Sequence, residues 1–457
     1  MDGYTLQALY QILGPKHLLT RPDETEKFAS DATDLKFVPE AVAFPGNAEE
    51  VSRILLLANE VGFPVIPRGA GSGKTGGALP VEGGLVLAMD RFNRILRIDR
   101  DNLIAEVEPG VVTARFQEEV EKVGLFYPPD PASFRVSTIG GNVATCAGGL
   151  RAVKYGVTRD YVIGLSMVLP TGEMLRTGVE TPKGVVGYDL TRLVVGSEGT
   201  LAVITSITLR LLPKPEMKKS MLAFFDRAST AVRTVSEMIR SGILPATLEF
   251  MDRLCLDCMR NQTRHFIPPG AEALLLIEVD GDRSSVEMEA ERIRRACQGG
   301  GCLDFRAATR GEEAEEFWEI RREISETLFV YGPHKISEDV VVPRSRIAEF
   351  IDILRGLETR YRLSMPTFGH AGDGNLHVNI MYDKDKEGES ERAELAVKDL
   401  FRHTLKMGGT ISGEHGIGLT KAPYLGMELS KTAIDLMLRV KKAFDPKGIL
   451  NPGKIFT

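Results

Sequence analysis

The residues with the clearest chemical potential are histidines and carboxylates in the C-terminal part of the chain. Five of the seven histidines lie between residues 334 and 415. His370 and His377 fall in the segment FGHAGDGNLHVNIMY, and Glu414 precedes His415 in SGEHGIG. Each histidine alone would more often be a structural hydrogen-bonding group. Two imidazoles and a carboxylate together predict a divalent metal site with open positions, suited to Zn²⁺, Mn²⁺ or Fe²⁺.

A β-strand is the element expected to present these histidines. Polar and apolar residues alternate after the Gly-Asp-Gly turn, so His377 and Asn379 share one face of the predicted strand. The core-facing side carries Leu376, Val378 and Ile380. The turn can fold His370 back towards the face of His377. Glycines at 413 and 416 allow close backbone approach around Glu414 and His415.

A second feature is dense glycine in the first half of the chain, above all in GAGSGKTGG at 69–77. Glycine suits backbone that approaches a ligand or turns sharply. A Walker loop would need glycine where Arg68 stands. Gly71, Gly73 and Gly76 match a Rossmann fingerprint, but the following GALPVEGGL cannot form the helix that this fingerprint opens. A loop between strands that cradles a pyrophosphate with its N–H groups and an ordinary surface loop both remain open.

Composition bounds the classes of function. The 457 residues suggest about two to four domains, and 43% hydrophobic and 26% charged residues are typical of a globular chain. A net charge of −6 disfavours nucleic acid as a partner. Five cysteines fit a reducing cytoplasm better than a disulfide framework. We expect no signal peptide and no integral membrane segment.

The order of predicted elements indicates an α+β chain. Residues 48–61 have helical spacing and stop at Gly62, and strand-like runs follow on both sides of the glycine loop. The segment PKPEMKKS at 213–220 breaks the pattern and marks a candidate domain boundary. Beyond it, helices alternate with strands, and an amphipathic helix near the C-terminus is stopped by Pro446.

Several motifs resemble one flavoenzyme family in their order along nearly the whole chain. These are PRGAGSGKTGG, PPDPAS, TIGGNVATCAGG, YGVTRDYVIGLSMVLPTGE, VGSEGTLAVIT, GHAGDGNLHVN, SGEHGIG and DPKGILNPGKIF. They resemble vanillyl-alcohol-oxidase-type flavoenzymes, in the branch with D-lactate dehydrogenase, D-2-hydroxyglutarate dehydrogenase and the glycolate oxidase flavin subunit. The resemblance implies a two-part FAD-binding domain with an α+β cap domain that binds substrate. The implied ranges are 1–215 for the FAD-binding domain, 216–407 for the cap with the metal-site histidines, and 408–457 for a segment returning to the FAD domain.

The same resemblance implies which residues bind FAD. The pyrophosphate would be wrapped by Pro67, Arg68, Gly69, Ala70, Gly71, Ser72, Gly73, Lys74, Gly76 and Gly77. The isoalloxazine and ribityl would be lined by Gly140, Gly141, Asn142 and Ala144, and the adenine half would contact Glu198, Gly199 and Ile204. Further implied FAD positions are Pro131, Thr138, Gly148, Tyr155 and Asn451. The first loop lacks the histidine that holds FAD covalently in some relatives, so non-covalent FAD is expected. Cys146 stands where relatives often have Asn, and it is more often a small buried filler.

In this family, the positions of His370, His377 and Glu414 bind the divalent metal, and the position of His415 is the catalytic base. Arg321, Ser325 and Lys335 match positions that hold the substrate acid, and Asn379 is assigned to the same catalytic site. A solvated helix face is the alternative for Arg321 and its neighbour Arg322. In the implied reaction, a D-2-hydroxy acid, with D-lactate or glycolate favoured, loses its hydroxyl proton to a histidine and its C2 hydride to flavin N5.

Electrons must then leave the flavin. CLDC at 255–258 is a single pair, so an iron–sulfur or zinc site there is improbable. Relatives pass electrons to electron-transferring flavoprotein, an iron–sulfur subunit or a membrane-bound chain, and the first two are the expected partners here. The alternatives are a flavin oxidase that uses oxygen, a metallohydrolase without flavin, and a nucleotide-binding regulatory protein, which Arg68 already disfavours.

Overall fold

A computed structural model describes residues 1–456. The helices are α1 (Gly3–Leu13), α2 (Pro22–Thr25), α3 (Ala48–Val61), α4 (Thr113–Lys122), α5 (Ile139–Thr145), α6 (Ala152–Tyr155), α7 (Leu190–Val194), α8 (Ala228–Arg240), α9 (Arg253–Gln262), α10 (Arg283–Gly299), α11 (Gly311–Thr327), α12 (Ile347–Tyr361), α13 (Glu389–Lys406), α14 (Leu425–Glu428) and α15 (Lys431–Phe444). The strands are β1 (Leu18–Leu19), β2 (Ala41–Ala43), β3 (Val65–Arg68), β4 (Leu85–Ala88), β5 (Ile95–Asp99), β6 (Ile104–Val107), β7 (Leu125–Phe126), β8 (Val162–Val168), β9 (Met174–Gly178), β10 (Val203–Arg210), β11 (Leu212–Pro213), β12 (Met217–Phe225), β13 (Thr247–Met251), β14 (Ala273–Gly281), β15 (Asp304–Ala307), β16 (His334–Val341), β17 (Thr367–His370) and β18 (Asn375–Tyr382).

Local signals in the sequence set the ends of the predicted helices. The Asn47 side chain caps α3 by accepting a hydrogen bond from the Glu50 N–H at 2.8 Å. The helix ends at Gly62, whose φ of 91° lies in the left-handed region that glycine tolerates. Ser430 caps α15 in the same way as Asn47, and Pro446 follows the end of α15. The structure therefore confirms the predicted helix at 48–61 and the one stopped by Pro446.

The first of two compact units comprises Met1–Gly148, Gly156–Lys214 and the chain from Glu414 onwards. One of its sheets has the order β1-β2-β4-β3, in which β4 pairs in parallel with β2 and β3. The other is antiparallel with the order β5-β6-β10-β8-β9. A core of α1, α3 and the first sheet includes Leu9, Ile54 and Leu85, all fully buried.

The second unit comprises Gly149–Tyr155 and Pro215–Gly413. Its sheet has seven strands in the order β15-β12-β14-β13-β17-β18-β16, and every neighbouring pair is antiparallel. Helices α9 and α11 bury apolar side chains on this sheet, including Leu256 and Ile324. Strands β13, β17 and β18 are adjacent in the sheet, so side chains far apart in sequence become neighbours there.

Two expectations about organisation can be compared with this fold. The division after Lys214 falls inside the predicted boundary segment 213–220. The glycine loop runs from β3 to β4 without a helix, which confirms that it is no Rossmann fingerprint. The domain ranges 1–215, 216–407 and 408–457 stay predictions. Within residues 1–456, no helix is both long and apolar enough to cross a membrane.

Candidate active site

The glycine loop of the first unit lies against the start of α5. A Cβ atom on Gly69 would lie 2.5 Å from Thr138 Oγ1 and 3.8 Å from Gly141 Cα. Thr138 caps α5, because its hydroxyl accepts a hydrogen bond from the Gly141 N–H at 3.2 Å. Gly71 and Gly76 have φ values of 67° and 77°, which disfavour other residues. The glycine loop therefore packs directly against the start of α5, with no room for a side chain at Gly69.

Gly140 needs to be glycine for a second steric reason. A Cβ atom there would lie 2.4 Å from Pro109 Cβ and 2.9 Å from the Pro109 carbonyl oxygen. The next position but one, Asn142, is buried and donates from Nδ2 to Thr113 Oγ1 at 2.8 Å. The start of α5 is thus fixed against residues 109–113, which the motif comparison did not identify.

Arg68 packs against the glycine loop and bonds to a neighbouring segment of the chain. Its side chain is buried and donates from Nη2 to the Ser30 carbonyl at 2.7 Å. A Cβ atom on Gly71 would lie 2.1 Å from that same Nη2 atom. The structure therefore shows a supporting role for the Arg68 guanidinium, and its predicted contact with FAD stays a prediction.

Glu198 and Asn451 join three distant segments of the first unit. The buried Glu198 carboxylate accepts hydrogen bonds from the N–H groups of Ile417 at 2.8 Å and Gly418 at 2.7 Å. Burial raises the pKa of Glu198, while these two bonds oppose that shift. Asn451 donates from Nδ2 to the carbonyls of Gly77 at 2.9 Å and Glu198 at 2.8 Å. Asn451 therefore holds the end of the glycine loop, and the Glu198 carboxylate holds the backbone of Ile417 and Gly418.

The other predicted FAD residues are distributed between the two units. Ala70, Ser72, Gly73 and Lys74 lie in the glycine loop. The Pro131 and Ala144 carbonyls accept backbone hydrogen bonds from Phe134 and Glu198, Gly199 has a φ of 69°, and Ile204 is buried in β10. Gly148 leaves room for Glu414, because a Cβ atom there would lie 2.8 Å from Glu414 Oε2. Tyr155 belongs to the second unit, where its hydroxyl donates to the Asp280 carboxylate at 2.8 Å.

His415 is tied to the glycine loop within the first unit. The Thr75 hydroxyl donates to the His415 carbonyl at 3.2 Å, and the Leu419 N–H donates to the Thr75 carbonyl at 2.6 Å. Thr75 is buried, and the sequence analysis did not identify it as a site residue. The backbone on both sides of the Gly416 turn is therefore anchored to the loop.

In the second unit, the hairpin of β17 and β18 brings His370 and His377 together. Their ring centroids are 5.2 Å apart and their planes meet at 89°. A ring nitrogen of each lies within 4.8 Å of the other, and both side chains are buried. The core-facing residues of β18 are fully buried, namely Leu376, Val378 and Ile380. The predicted strand alternation and the return of His370 at the turn are confirmed.

Glu249 on β13 is a residue of this site that the sequence analysis missed. In the pairing of β13 with β17, Glu249 lies opposite His370. Its Oε1 lies 2.5 Å from His370 Nδ1, and its Oε2 accepts a hydrogen bond from Arg321 Nε at 2.6 Å. Burial alone would raise the pKa of Glu249, but its hydrogen bonds to His370 and Arg321 and the charge of Arg321 outweigh burial and lower this pKa. One acid in the apolar strand TLEFM was the available signal.

Hydrogen bonds within the second unit orient each of the predicted acid-binding residues. Arg321 is 13% exposed, bonds Glu249 and lies over the Phe368 ring at 4.5 Å. The solvated-helix interpretation is therefore wrong for Arg321, whereas Arg322 is 45% exposed and pairs with Glu315. Lys335 Nζ donates to Ser325 Oγ at 2.8 Å.

Two more groups flank the histidine hairpin. Asn379 is buried and donates from Nδ2 to the carbonyls of Pro366 and His377, while its Oδ1 accepts no hydrogen bond within residues 1–456. The Gly413 N–H donates to Asp339 Oδ2 at 2.8 Å, and Asp339 lies opposite His377 in the sheet. Gly413 ends the second unit, so the peptide that leads to Glu414 is fixed beside β16.

A second group of potential metal ligands lies at the surface of the second unit. His265, Glu319 and Glu323 offer ligand atoms within 4.8 Å of one another. His265 Nε2 is already 3.1 Å from Glu323 Oε2, and Arg264 pairs with Glu319 at 3.2 Å. These contacts account for the cluster without a cation.

Comparison with known proteins identifies the family of the chain. Sequence models of two protein families match the chain: an FAD binding domain over residues 39–178, and FAD linked oxidases, C-terminal domain, over residues 214–455. The chain belongs to the FAD-linked oxidases. This FAD-linked oxidase is 46% identical to the glycolate oxidase subunit GlcD of Bacillus subtilis (strain 168), with 98% of this chain and 96% of that protein covered. It is 36% identical to a D-lactate dehydrogenase of Anaerostipes hadrus, with the same two coverages.

The solved structures show the fold. A crystal structure of p-cresol methylhydroxylase with substrate bound matches with a TM-score of 0.80 at 17% identity, covering 99% of this oxidase and 96% of that chain. The predicted two-domain FAD-binding fold of the vanillyl-alcohol-oxidase type is confirmed. The protein is an FAD-linked oxidoreductase of the glycolate oxidase subunit and D-lactate dehydrogenase type.

The residues present fit FAD. The glycine loop and the start of α5 pack closely, because a Cβ atom on Gly69 would overlap Thr138 and one on Gly140 would overlap Pro109. The backbone N–H groups of a glycine-rich loop are suited to an anionic pyrophosphate. The first unit therefore has the features that an FAD site needs, and they come from backbone more than from side chains.

Proposed function

We propose that this oxidase converts a D-2-hydroxy acid, with D-lactate or glycolate favoured, into the 2-oxo acid. The observation that carries this function is the buried chain of contacts His377–His370–Glu249–Arg321 in the second unit. It places potential metal ligands beside a cation that can bind a carboxylate. Relatives named glycolate oxidase subunit and D-lactate dehydrogenase support the same class of substrate.

We assign His370, His377 and Glu414 as ligands of a divalent cation, either Zn²⁺, Mn²⁺ or Fe²⁺. The donor set fits, because two imidazoles and a carboxylate suit these ions. The Gly413 hydrogen bond to Asp339 supports Glu414 as the third ligand, since it fixes the preceding peptide beside β16. Such a cation lowers the pKa of a bound hydroxyl group.

We assign recognition of the substrate acid to Arg321, Lys335 and Ser325. Arg321 offers a planar guanidinium held over Phe368, and Lys335 offers a point charge oriented by Ser325. The buried Asn379 Oδ1, on the same strand face as His377, is an acceptor suited to a polar substrate group. Together these residues recognise a small acid that carries a neighbouring hydroxyl.

We assign His415 as the base that takes the hydroxyl proton. The bond from Thr75 to the His415 carbonyl fixes the backbone of this histidine beside the glycine loop. Imidazole suits the task, because its usual pKa lies near working pH. Bound FAD supplies the acceptor for the C2 hydrogen and its electron pair. The substrate thus loses one proton and one hydride, which balances the oxidation.

We propose that FAD is bound without a covalent link, because the loop 69–77 contains neither histidine nor cysteine. Acid precipitation should release yellow colour into the supernatant. Colour that stays with the precipitated protein would contradict the proposal.

Electron-transferring flavoprotein or an iron–sulfur subunit is our proposed electron acceptor, with the former slightly favoured. The word "subunit" in the name of the Bacillus relative supports a protein partner. The isolated chain should reduce a dye with D-lactate and should not reduce NAD without a partner. Rapid unaided NAD reduction would contradict a partner. We also propose a reducing compartment such as the cytoplasm, because all five cysteines are free thiols.

The deciding experiment for the reaction is anaerobic bleaching of the flavin by a panel of D- and L-2-hydroxy acids, before and after chelation. Bleaching by D-lactate or glycolate that chelation abolishes is expected. Bleaching that survives complete chelation would remove the metal from the proposal, and no bleaching by any member would remove the substrate class. Reoxidation by air at the rate of turnover would favour an oxidase that uses oxygen.

A further inference from the structure

Glu249 contacts two different predicted site residues through its two carboxylate oxygens. Oε1 contacts His370 Nδ1, and Oε2 accepts from Arg321 Nε. The side chain is 0% exposed, so water does not compete for either oxygen. Strand pairing fixes its backbone, since Glu249 lies opposite His370 in the sheet.

We propose that Glu249 is a positioning residue that prepares both the metal ligand His370 and the acid-binding Arg321. This inference rests on the proposed function, which assigns those two roles. The Glu249 carboxylate then determines which nitrogen of His370 can bind the metal and which edge of Arg321 can bind the substrate acid.

The effect on His370 follows from its tautomer. A carboxylate at Nδ1 keeps the ring proton on that nitrogen, so the lone pair stays on Nε2, the nitrogen that can bind a metal. A hydrogen bond from Nδ1 to a carboxylate also raises the basicity of the ligand and fixes the orientation of the ring. His377 stands edge-on at 5.2 Å, so a fixed His370 ring also sets the spacing of the pair.

The effect on Arg321 follows from its donor groups. Glu249 occupies Nε, and no other hydrogen bond of the Arg321 side chain is found within residues 1–456. The two terminal amino groups, which bind carboxylates as a pair, therefore keep their donors. Phe368, 4.5 Å from the guanidinium carbon, holds the plane of the group. Glu249 thus orients Arg321 and leaves its acid-binding edge unused.

Replacement of Glu249 by glutamine tests this arrangement sharply. If the amide oxygen of the new side chain stays on Arg321, its NH₂ group faces His370 Nδ1 and favours the tautomer with the proton on Nε2, which cannot bind a metal. If the amide turns over, its NH₂ group opposes the Arg321 Nε–H. Either arrangement damages one of the two predicted roles.

The matched control is Glu278→Gln. Glu278 is a buried carboxylate of the same sheet, on β14, and it accepts from Ser220 Oγ at 2.8 Å and Trp318 Nε1 at 3.1 Å. Neither of these partners is a predicted metal or acid-binding residue, so the loss of Glu278 reports the general cost of removing a buried acid from this sheet.

The experiment measures Zn²⁺ affinity of the FAD-loaded, metal-stripped full chain by competition with a chelator, and separately the KM and kcat for D-lactate. Glu249→Gln should lower Zn²⁺ affinity by about 10–100-fold if its NH₂ group faces His370, or raise KM if its NH₂ group faces Arg321, while Glu278→Gln leaves both quantities within about twofold of wild type. Zn²⁺ affinity and KM of Glu249→Gln within twofold of wild type would overturn the inference. If this variant does not fold, Glu249→Asp decides: lowered Zn²⁺ affinity supports the inference and unchanged affinity overturns it.

His370→Ala separates this inference from the proposed function. If His370→Ala loses Zn²⁺ binding while Glu249→Gln keeps both its Zn²⁺ affinity and its KM, only the role of Glu249 is wrong. If His370→Ala binds Zn²⁺ as wild type does, the metal site itself is wrong, and the role of Glu249 falls with it.

Discussion

The candidate sites in the two units of this FAD-linked oxidase are built from different parts of the chain, namely backbone in the first unit and side chains in the second. The first unit uses backbone, since its cradle depends on glycines at which a Cβ atom would meet Thr138, Arg68 or Pro109. The candidate site of the second unit is made of side chains, which are joined by the contacts of Glu249 with His370 and Arg321. Substitutions in the first unit are limited by the space at its glycines, and substitutions in the second unit are limited by the chemistry of the side chain.

The difference shows what kind of substitution each site tolerates. A backbone site fails when any side chain is added, whatever its chemistry, because the obstruction is steric. A side-chain site accepts changes of shape nearby but fails when a donor becomes an acceptor or a charge loses its partner. Substitutions in each unit should therefore separate loss of FAD from loss of metal.

The largest expected effect comes from the side-chain site. His377→Ala should lose bound metal and lower turnover by roughly 10⁴-fold, several kcal/mol of lost charge stabilisation, while FAD content stays at the wild-type value. Metal analysis, flavin absorbance and turnover with D-lactate measure the three quantities. His403→Ala, in α13 of the same unit, is the control and should keep all three. Full turnover of the His377 variant would contradict the metal role.

His415→Ala tests a predicted catalytic side chain in the first unit, whose candidate cofactor site otherwise consists mainly of backbone. It should keep both FAD and metal and slow anaerobic flavin reduction by about 10²–10⁴-fold, the usual contribution of a positioned base. Stopped-flow measurement of flavin bleaching gives the rate. A decrease of less than tenfold would remove His415 from the role of base.

Gly140→Ala should damage the backbone site and spare the metal. The added methyl group would overlap Pro109, and overpacking of about 1–3 kcal/mol weakens FAD binding by about five- to 150-fold. Flavin titration of the apoprotein measures this loss, and metal content should stay unchanged. Gly426→Ala is the control, because a Cβ atom there meets nothing within 4 Å. Equal FAD affinity in both variants would show that the cradle is not needed.

The smallest expected effect concerns pH and the second unit. Burial raises the pKa of Asp252 from its ordinary value of 3.8 to about 7, so the folded chain holds this proton more tightly than the unfolded chain does. The stability it gives is complete below about pH 4 and is lost as pH rises through about 7. Between pH 5 and pH 8, the Tm of wild type should fall by roughly 2–4 °C relative to Asp252→Asn.

The control for this pH effect is Asp282→Asn. Asp282 caps α10 as Asp252 caps α9, but it is exposed, and hydrogen bonds from Ser284 and Ser285 hold its pKa below the usual range. The Tm difference between Asp282→Asn and wild type should be the same at pH 5 and at pH 8. A constant Tm difference for Asp252→Asn as well would mean that its carboxylate stays ionised throughout.

Local patterns predicted much of the fold and part of the site. Alternation placed His377 and Asn379 on one face of β18, and Asn47 and Gly62 bounded α3, because these signals act within a few residues. Glu249 was missed because it lies 121 residues before His370 in the chain, and only the pairing of β13 with β17 makes them neighbours. Pro109 and Thr75 were missed for the same reason, since each gains its role from a distant glycine segment.

The hydrogen bond between Asn451 and Gly77 bears on the order in which the parts of the first unit are synthesised. Asn451 is bonded to a loop 374 residues earlier, and Leu450 forms a β-bridge with Val65. Ribosomes release a chain from its N-terminus, so Asn451 emerges after every residue of the second unit. The glycine loop of the first unit therefore gains this hydrogen bond only after the second unit has been synthesised.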